Sequence, residues 1–307
     1  MAITIPSAYI ETFESNVRQL AQQKRSKLRG CITEVNNQSE KHNWDRLAAS
    51  AARLKAGPRA VSPAGGNGSG AVDATDGLTW TRRNTVIQTY DTGEVVEPED
   101  IVQMLIDPAN ASTENLVMNM NRAVDDIIIT AATADAADGA GGTVAFDTTN
   151  QQVGDYSGEI SLDFVLEVDE VFQANDVDPD EERFFVIGPK QRRKLLQLIE
   201  VTSSDFQGQS QALANGYLPG FLGFNWILSN RLKTDADTLP GTGTDTIDCL
   251  AFTSKGLGLH VAGDITTKVG ERTDMSFAWQ IYLMLQMASV RVEDEHVVLA
   301  ALSNTVT

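Results

Sequence analysis

The chain predicts an α+β fold built around a mixed sheet, and three stretches carry that expectation. Residues 184–188 (FFVIG) are a short, continuous apolar run bounded by turn signals, the pattern of a strand buried on both faces. Residues 113–133 place Leu116, Met120, Ala123, Ile127 and Ala131 at steps of three or four. That spacing predicts an amphipathic helix about 30 Å long at 1.5 Å per residue. Residues 79–90 (TWTRRNTVIQTY) alternate with period two: Thr79, Thr81, Thr85 and Thr89 share one face, and Trp80, Val86 and Tyr90 the other. A strand rich in β-formers follows from that pattern.

From the N-terminus, Phe13, Val17, Leu20 and Ala21 recur at helical spacing in an arm over residues 1–27. LRGCITEV (28–35) reads as a strand. KHNWDRLAASAARLK (41–55) puts Trp44, Leu47, Ala48, Ala51 and Leu54 on one helical face, which predicts a short helix. GPRAVSPAGGNGSGAVDATDG (57–77) carries six Gly and two Pro, a composition suited to a mobile tip. With strands on either side, the tip implies a long projecting hairpin that lies on some other surface. Pro98 opens a short helix that Pro108 closes, and the 113–133 helix follows. After a Gly-rich loop at 134–143, Ser161 can cap a helix whose face is Phe164, Val165, Val168, Val171 and Phe172. PKQRRKLLQLI makes another helix, with Pro189 near its start. Residues 223–232, 249–261 and the run from Lys268 to Leu302 supply further strands.

Charge is unevenly distributed over the 307 residues, whose formal net charge is −18. Residues 1–60 hold ten Lys/Arg against five Asp/Glu, or +5, and the remainder holds 14 against 37, or −23. So acidic a body repels nucleic acid, because binding it requires Lys and Arg against the phosphates. The basic segment 22–30 suits an acidic partner, including another copy of this chain. No run of 18 apolar residues is present, so no membrane span is expected, and nothing at the N-terminus reads as a secretory signal. Cys31 and Cys249 lack metal-type spacing and read as free thiols.

No catalytic constellation emerges. Asp125 and Asp126 lie about 100° apart around a helix, so they do not converge as an acid–base pair and read as solubilising charges beside the apolar stripe. Asp91-Thr92-Gly93 occurs once, whereas aspartic-protease chemistry needs two such carboxylates sharing a proton; it reads as a turn. The Gly clusters at 65–70 and 139–142 lack the Lys-Ser/Thr of a phosphate loop. His42, His260 and His296 are distant in sequence with no ligand at metal spacing. VTSSDF (201–206) has no nucleophile-elbow context, and DVDPDEE (176–182) lacks the spacing of a calcium loop. SKGLGLHVAG reads as strand, bulge, strand. No catalytic, metal or cofactor site is expected.

Taken together, SNVRQLAQQKRSKLRG, DIVQMLIDP, NRAVDDIIITAAT, NDVDPDEERFFVIGPKQ, VTSSDF, FLGFNWILSNRL and GERTDMSFAWQIYLMLQMASVRVEDEHVV resemble major capsid proteins of tailed bacteriophages, in the family's order and over about residues 15–300. The resemblance implies the Johnson fold shared by tailed-phage and herpesvirus capsid proteins and by encapsulins. On that fold residues 1–27 are the N-arm and 28–96 a long E-loop hairpin. Residues 97–157 belong to the peripheral domain, with its spine helix at 113–133, and 158–264 form the axial domain with a mixed sheet. Residues 265–307 supply return strands of the peripheral domain and a final axial strand.

The implied function is a structural shell protein that self-assembles as hexamers and pentamers of an icosahedral head around double-stranded DNA, without binding that DNA specifically. A separate scaffolding protein, a portal protein at one vertex, a place in the virion capsid and assembly in the host bacterial cytoplasm are implied with it. An encapsulin-like nanocompartment shell is the alternative, and an acidic hydrolase the reading from another class. Arg29 on the outgoing strand, with Arg82 and Arg83 on the return strand, makes the hairpin cationic in an acidic chain. With Trp80 and Lys27 these are the candidate subunit-interface residues. Arg82 and Arg83 point to opposite faces of their strand, so at least one faces whatever the hairpin lies upon.

Overall fold

The computed structural model describes residues 22–47, 80–97, 108–197, 222–234 and 246–304. A 3-10 turn at Arg29–Cys31 leads into β1 (Thr33–Asn36), β2 (Lys41–Leu47), β3 (Trp80–Val86) and β4 (Gln88–Val96). Helix α1 (Pro108–Thr133), β5 (Ala136–Ala137), β6 (Thr143–Val144) and β7 (Gln152–Val153) follow. Then come α2 (Leu162–Ala174), β8 (Arg183–Ile187), α3 (Pro189–Gln197), β9 (Phe224–Leu228) and β10 (Thr246–Thr253). Three long strands, β11 (Leu257–Arg272), β12 (Ala278–Arg291) and β13 (Val297–Ser303), close the order.

The described residues fall into two compact units. One takes 22–25, 89–97, 108–123 and 264–285, and the other the remainder. In the first unit, Val96, Leu116, Met118, Met120, Ala278, Ile281, Leu283 and Leu285 are buried. Asp91-Thr92-Gly93 lies inside β4 rather than in the expected turn. Gly93 has a packing reason to be glycine, since a Cβ there would sit 2.9 Å from the Ile281 carbonyl oxygen. Between β11 and β12, Ser276 and Phe277 both take left-handed φ values, 50° and 58°.

The second unit contains a five-stranded sheet in the order β7-β13-β10-β8-β9. It is mixed: β10 runs antiparallel to β13 and β8, whereas β13 pairs with β7 and β8 with β9 in parallel. All five residues of β8 are buried, as the FFVIG run predicts. Phe172, Phe185, Phe224 and Trp226 meet with ring centroids 4.8–6.2 Å apart. Fully burying a side chain of this class stabilises by about 1.5–3 kcal/mol. Ser161 caps α2 as expected, its hydroxyl accepting from the Phe164 N–H at 3.1 Å, and Val165, Val168 and Phe172 line the buried face.

Four expectations are corrected. The helix expected over 41–55 is a strand over 41–47, and residues 48–55 lie outside the described set. Its inner face carries His42, Trp44 and Arg46, so pairing along the hairpin overrides a helical pattern written in Ala and Leu. Residues 28–35 open as a 3-10 turn and only then become β1, which pairs in parallel with β11 and takes no part in the hairpin. Helix α1 begins at Pro108, where a missing N–H is harmless, and its buried stripe runs Leu116, Met120, Val124, Ile128. Ile127 is half-buried, one position off the expected face. Finally, β10 and β11 are joined by a turn at 254–256, not a bulge, and they enter different sheets. The Gly-rich tip 57–77, the short helix beginning at Pro98 and VTSSDF lie outside the described residues.

Candidate subunit-contact site

β2 and β3 form an antiparallel hairpin in register from Lys41↔Val86 to Leu47↔Trp80. Its outer face is polar: Asp45 accepts from Arg82 Nε across the pair at 2.6 Å, and Asn84 donates to Asn43 at 2.7 Å. The two faces of β3 differ as its period-two pattern predicts. Arg83 and Thr85 are buried, while Trp80 is 69% exposed and Val86 46% exposed.

Ion pairs explain the burial of Arg83 on the inner face. Arg83 Nη2 donates to Asp294 at 2.7 Å, and Arg291 Nε donates to the same carboxylate at 2.6 Å. Arg46 reaches Glu293 at 3.3 Å, Glu295 at 3.4 Å and Asp294 at 3.6 Å. Three guanidiniums thus face three consecutive carboxylates, which allows arginine to be buried where an aliphatic side chain is expected. Arg291, 1% exposed, also donates to the carbonyls of Ala134 at 2.7 Å and Val144 at 3.1 Å and stacks on Phe146. The Trp44 indole packs on the backbone at Gly258, where a Cβ would come within 2.7 Å of the ring.

A cleft of about 620 Å³ opens beside the hairpin. It is lined by Asp45, Trp80, Arg82 and Arg83 on one side and by Asp138, Gly139, Ala140 and Val144 on the other. The second wall is the small β5–β6 hairpin, whose β5 pairs with β3 at Asn84↔Ala137. Gly139 has φ +75°, and a Cβ there would meet Arg82 Cδ at 3.0 Å. The N–H groups of Ala140 and Gly142 hold the Asp138 carboxyl below its ordinary range. The cleft thus presents an exposed indole, one exposed guanidinium and two carboxylates.

Three of the five candidate residues, Trp80, Arg82 and Arg83, therefore meet at one cleft. Arg29 and Lys27 do not line it. Arg29 sits on the 3-10 turn, not on the hairpin's outgoing strand, and holds Glu34 through Nε and Nη2 at 2.9 and 2.8 Å. Lys27 donates through Nζ to the Leu228 carbonyl at 2.6 Å. The surface that Arg83 faces is the acidic run 293–295 of its own chain.

Asp125 and Asp126 do diverge, but Asp125 is not a solubilising charge. It is 0% exposed and accepts from Ser26 Oγ at 2.6 Å and from the backbone N–H groups of Lys27 and Leu28 at 3.1 and 3.2 Å. A carboxylate buried among donors in this way fixes the 3-10 turn onto α1. Asp126 forms an ion pair with Arg231. Two histidines distant in sequence, His42 and His260, lie with ring centroids 5.3 Å apart, and no cluster of metal-ligating side chains occurs among the described residues. Sequence reasoning passed over Asp294 and Arg291, although an arginine beside three successive acids is a legible signal for an ion-pair cluster.

Comparison with known proteins decides the family. Residues 5–302 match the model of the phage capsid protein family. The chain belongs to that family. Solved structures share its fold at low identity. It is similar to a chain of the capsid asymmetric unit of cyanophage Pam1, with TM-score 0.73, 11% identity and 98% of each chain covered. It is also similar to the capsid of Ralstonia phage GP4, with TM-score 0.70, 10% identity, and 100% of this chain and 98% of that one covered. A chain from Mycobacterium phage Che8 aligns at TM-score 0.68 and 15% identity over 96% and 98%. No curated protein sequence matches. The capsid protein has the Johnson fold, a structural role and a place in the virion capsid as part of a shell-forming oligomer.

Proposed function

We propose that this capsid protein assembles as hexamers and pentamers into an icosahedral head around packaged double-stranded DNA, and that the cleft beside the β2–β3 hairpin receives a segment of the neighbouring copy. The observation that carries the reading is an exposed indole and guanidinium, Trp80 and Arg82, in a fold shared over nearly the whole chain with phage capsids. Arg82 spends only its Nε on Asp45, and the chain's acidic body supplies carboxylates that a guanidinium fork grips well. The turn between β11 and β12 adds a second surface: Val269, Met275, Phe277 and Trp279 are exposed there beside a self-neutralised Arg272–Asp274 pair. Apolar groups concentrated on one turn suit contact between copies.

A separate scaffolding protein and a portal at one vertex belong to this reading, as does assembly in the bacterial cytoplasm before DNA enters. So does the partition into N-arm, E-loop, peripheral and axial domains. DNA is enclosed without specific recognition, consistent with the −18 charge. Electron microscopy of the purified protein tests the proposal. Large icosahedral shells uphold it, small shells holding enzyme cargo point to a nanocompartment, and isolated monomers overturn it.

A further inference from the structure

We infer that His42 and His260 form an acid-sensitive latch holding the base of the β2–β3 hairpin on β11. His42 projects from the inner face of β2 and His260 from β11, with ring centroids 5.3 Å apart at 44°. His260 is fully buried. Its Nε2 lies 3.0 Å from the Asn37 carbonyl, so a hydrogen on Nε2 satisfies both groups. Its Nδ1 lies 3.4 Å from Thr85 Oγ1, which in turn lies 3.3 Å from the His42 carbonyl. With that hydrogen on Nε2, the His260 ring is tied to the hairpin through Thr85 as well as to the Asn37 carbonyl. The His42 ring is held by contacts of another kind, edge-on to Trp44 at 4.8 Å.

Charge on both rings does not fit. It would place two imidazoliums 5.3 Å apart, and among the described residues the carboxylates on β2 and in the segment after β12 are already engaged. On β2 the neighbouring charges are Lys41, Asp45 and Arg46, and on β3 they are Arg82 and Arg83. From β12 and the segment after it come Arg291, Glu293, Asp294 and Glu295, and those three carboxylates are engaged by Arg46, Arg83 and Arg291. Asp45, which alone draws a proton towards His42, is paired with Arg82. Burial, followed by the His260 charge, accordingly holds His42 below its ordinary value.

The sign follows from linkage. A hairpin lifted off β11 has a His42 that titrates near its ordinary value of about 6.5, whereas the docked one resists the proton. Docking is therefore fully present above about pH 6.5 and is lost as pH falls below it, by about tenfold per pH unit until the docked ring also titrates. In shell terms the latch would let acidification free the hairpin while the five-stranded sheet stays intact. The latch belongs to the single chain, so its failure and the failure of shell assembly are read separately.

Hydrogen exchange followed by mass spectrometry on the full chain tests it, at pH 7.5, 6.5 and 5.5 with the intrinsic chemical rates divided out. Peptides covering 41–47 and 80–86 in the wild type should open severalfold more at pH 5.5 than at 7.5, with about tenfold as the upper limit. In His42→Gln that rise should fall below about twofold, and peptides from β8 and β10 should not change in either protein. His42→Lys, with a permanent charge, should show at pH 7.5 the opening that the wild type shows at 5.5. A wild-type hairpin indifferent to pH, or an undiminished rise in His42→Gln, overturns the latch.

Discussion

Every residue of β8, β10 and β13 is buried, whereas β2 has no fully buried residue and β3 buries only Arg83 and Thr85 in its interior. The five-stranded sheet is held by apolar packing with a single good solution. The hairpin rests on ion pairs to Asp294 and its neighbours, and it also leaves donors unmet. Trp44 Nε1, Arg46 Nε and Arg83 Nε are buried without a hydrogen-bond partner among the described residues. Each such orphan costs about 1–3 kcal/mol. One element is thus held by apolar packing and the other by ion pairs, and the contact between copies that we propose falls on the second.

That contrast is breakable by substitution. The largest expected effect is in the sheet: Phe185→Ala removes a ring packed on Phe224 and Trp226 and should destabilise by about 3–5 kcal/mol in urea unfolding. A loss below 1 kcal/mol would mean that the sheet is not the stability core. Next, Asp294→Ala strands two buried guanidiniums, Arg83 and Arg291, and should cost about 3 kcal/mol, discounted because Asp294 is itself partly exposed. Its opening should be confined to 41–47, 80–86 and the 293–295 segment by hydrogen exchange. Spread of the opening into β10 would dissolve the distinction between the two regions. Asp125→Asn should loosen the 3-10 turn by about 1.5–3 kcal/mol, since it weakens charge-assisted bonds to the Lys27 and Leu28 N–H groups. Limited proteolysis near residues 26–31 reads that loss directly. Smallest for folding is Arg82→Glu, an exposed pair worth at most about 1 kcal/mol, although its effect on assembly should be large.

The sheet was legible because its strands are written in apolar runs, as FFVIG at 184–188 shows, and a Ser161 cap was readable from local chemistry alone. The hairpin was legible as a hairpin but not in its details. Its inner face is His42, Trp44, Arg46, Arg83 and Thr85, and the two arginines turn inward because carboxylates more than 200 positions away pair with them. Nothing local marks such residues as interior, so the period-two pattern of β3 showed two faces without showing which one is buried. Asp125 misled for the same reason, as its donors lie at Ser26–Leu28, nearly a hundred residues earlier. The cleft was half visible: Trp80, Arg82 and Arg83 were singled out, while the β5–β6 wall with Asp138 and Gly139 was read as loop.

A cryo-electron-microscopy map of shells grown from the purified chain, resolved well enough to place side chains at the hairpin, tests the central claim most directly. Trp80 and Arg82 should be covered by an adjacent copy, with a carboxylate from that copy on the Arg82 guanidinium. Shells in which both side chains remain in solvent would contradict the assignment of the cleft as the contact between copies.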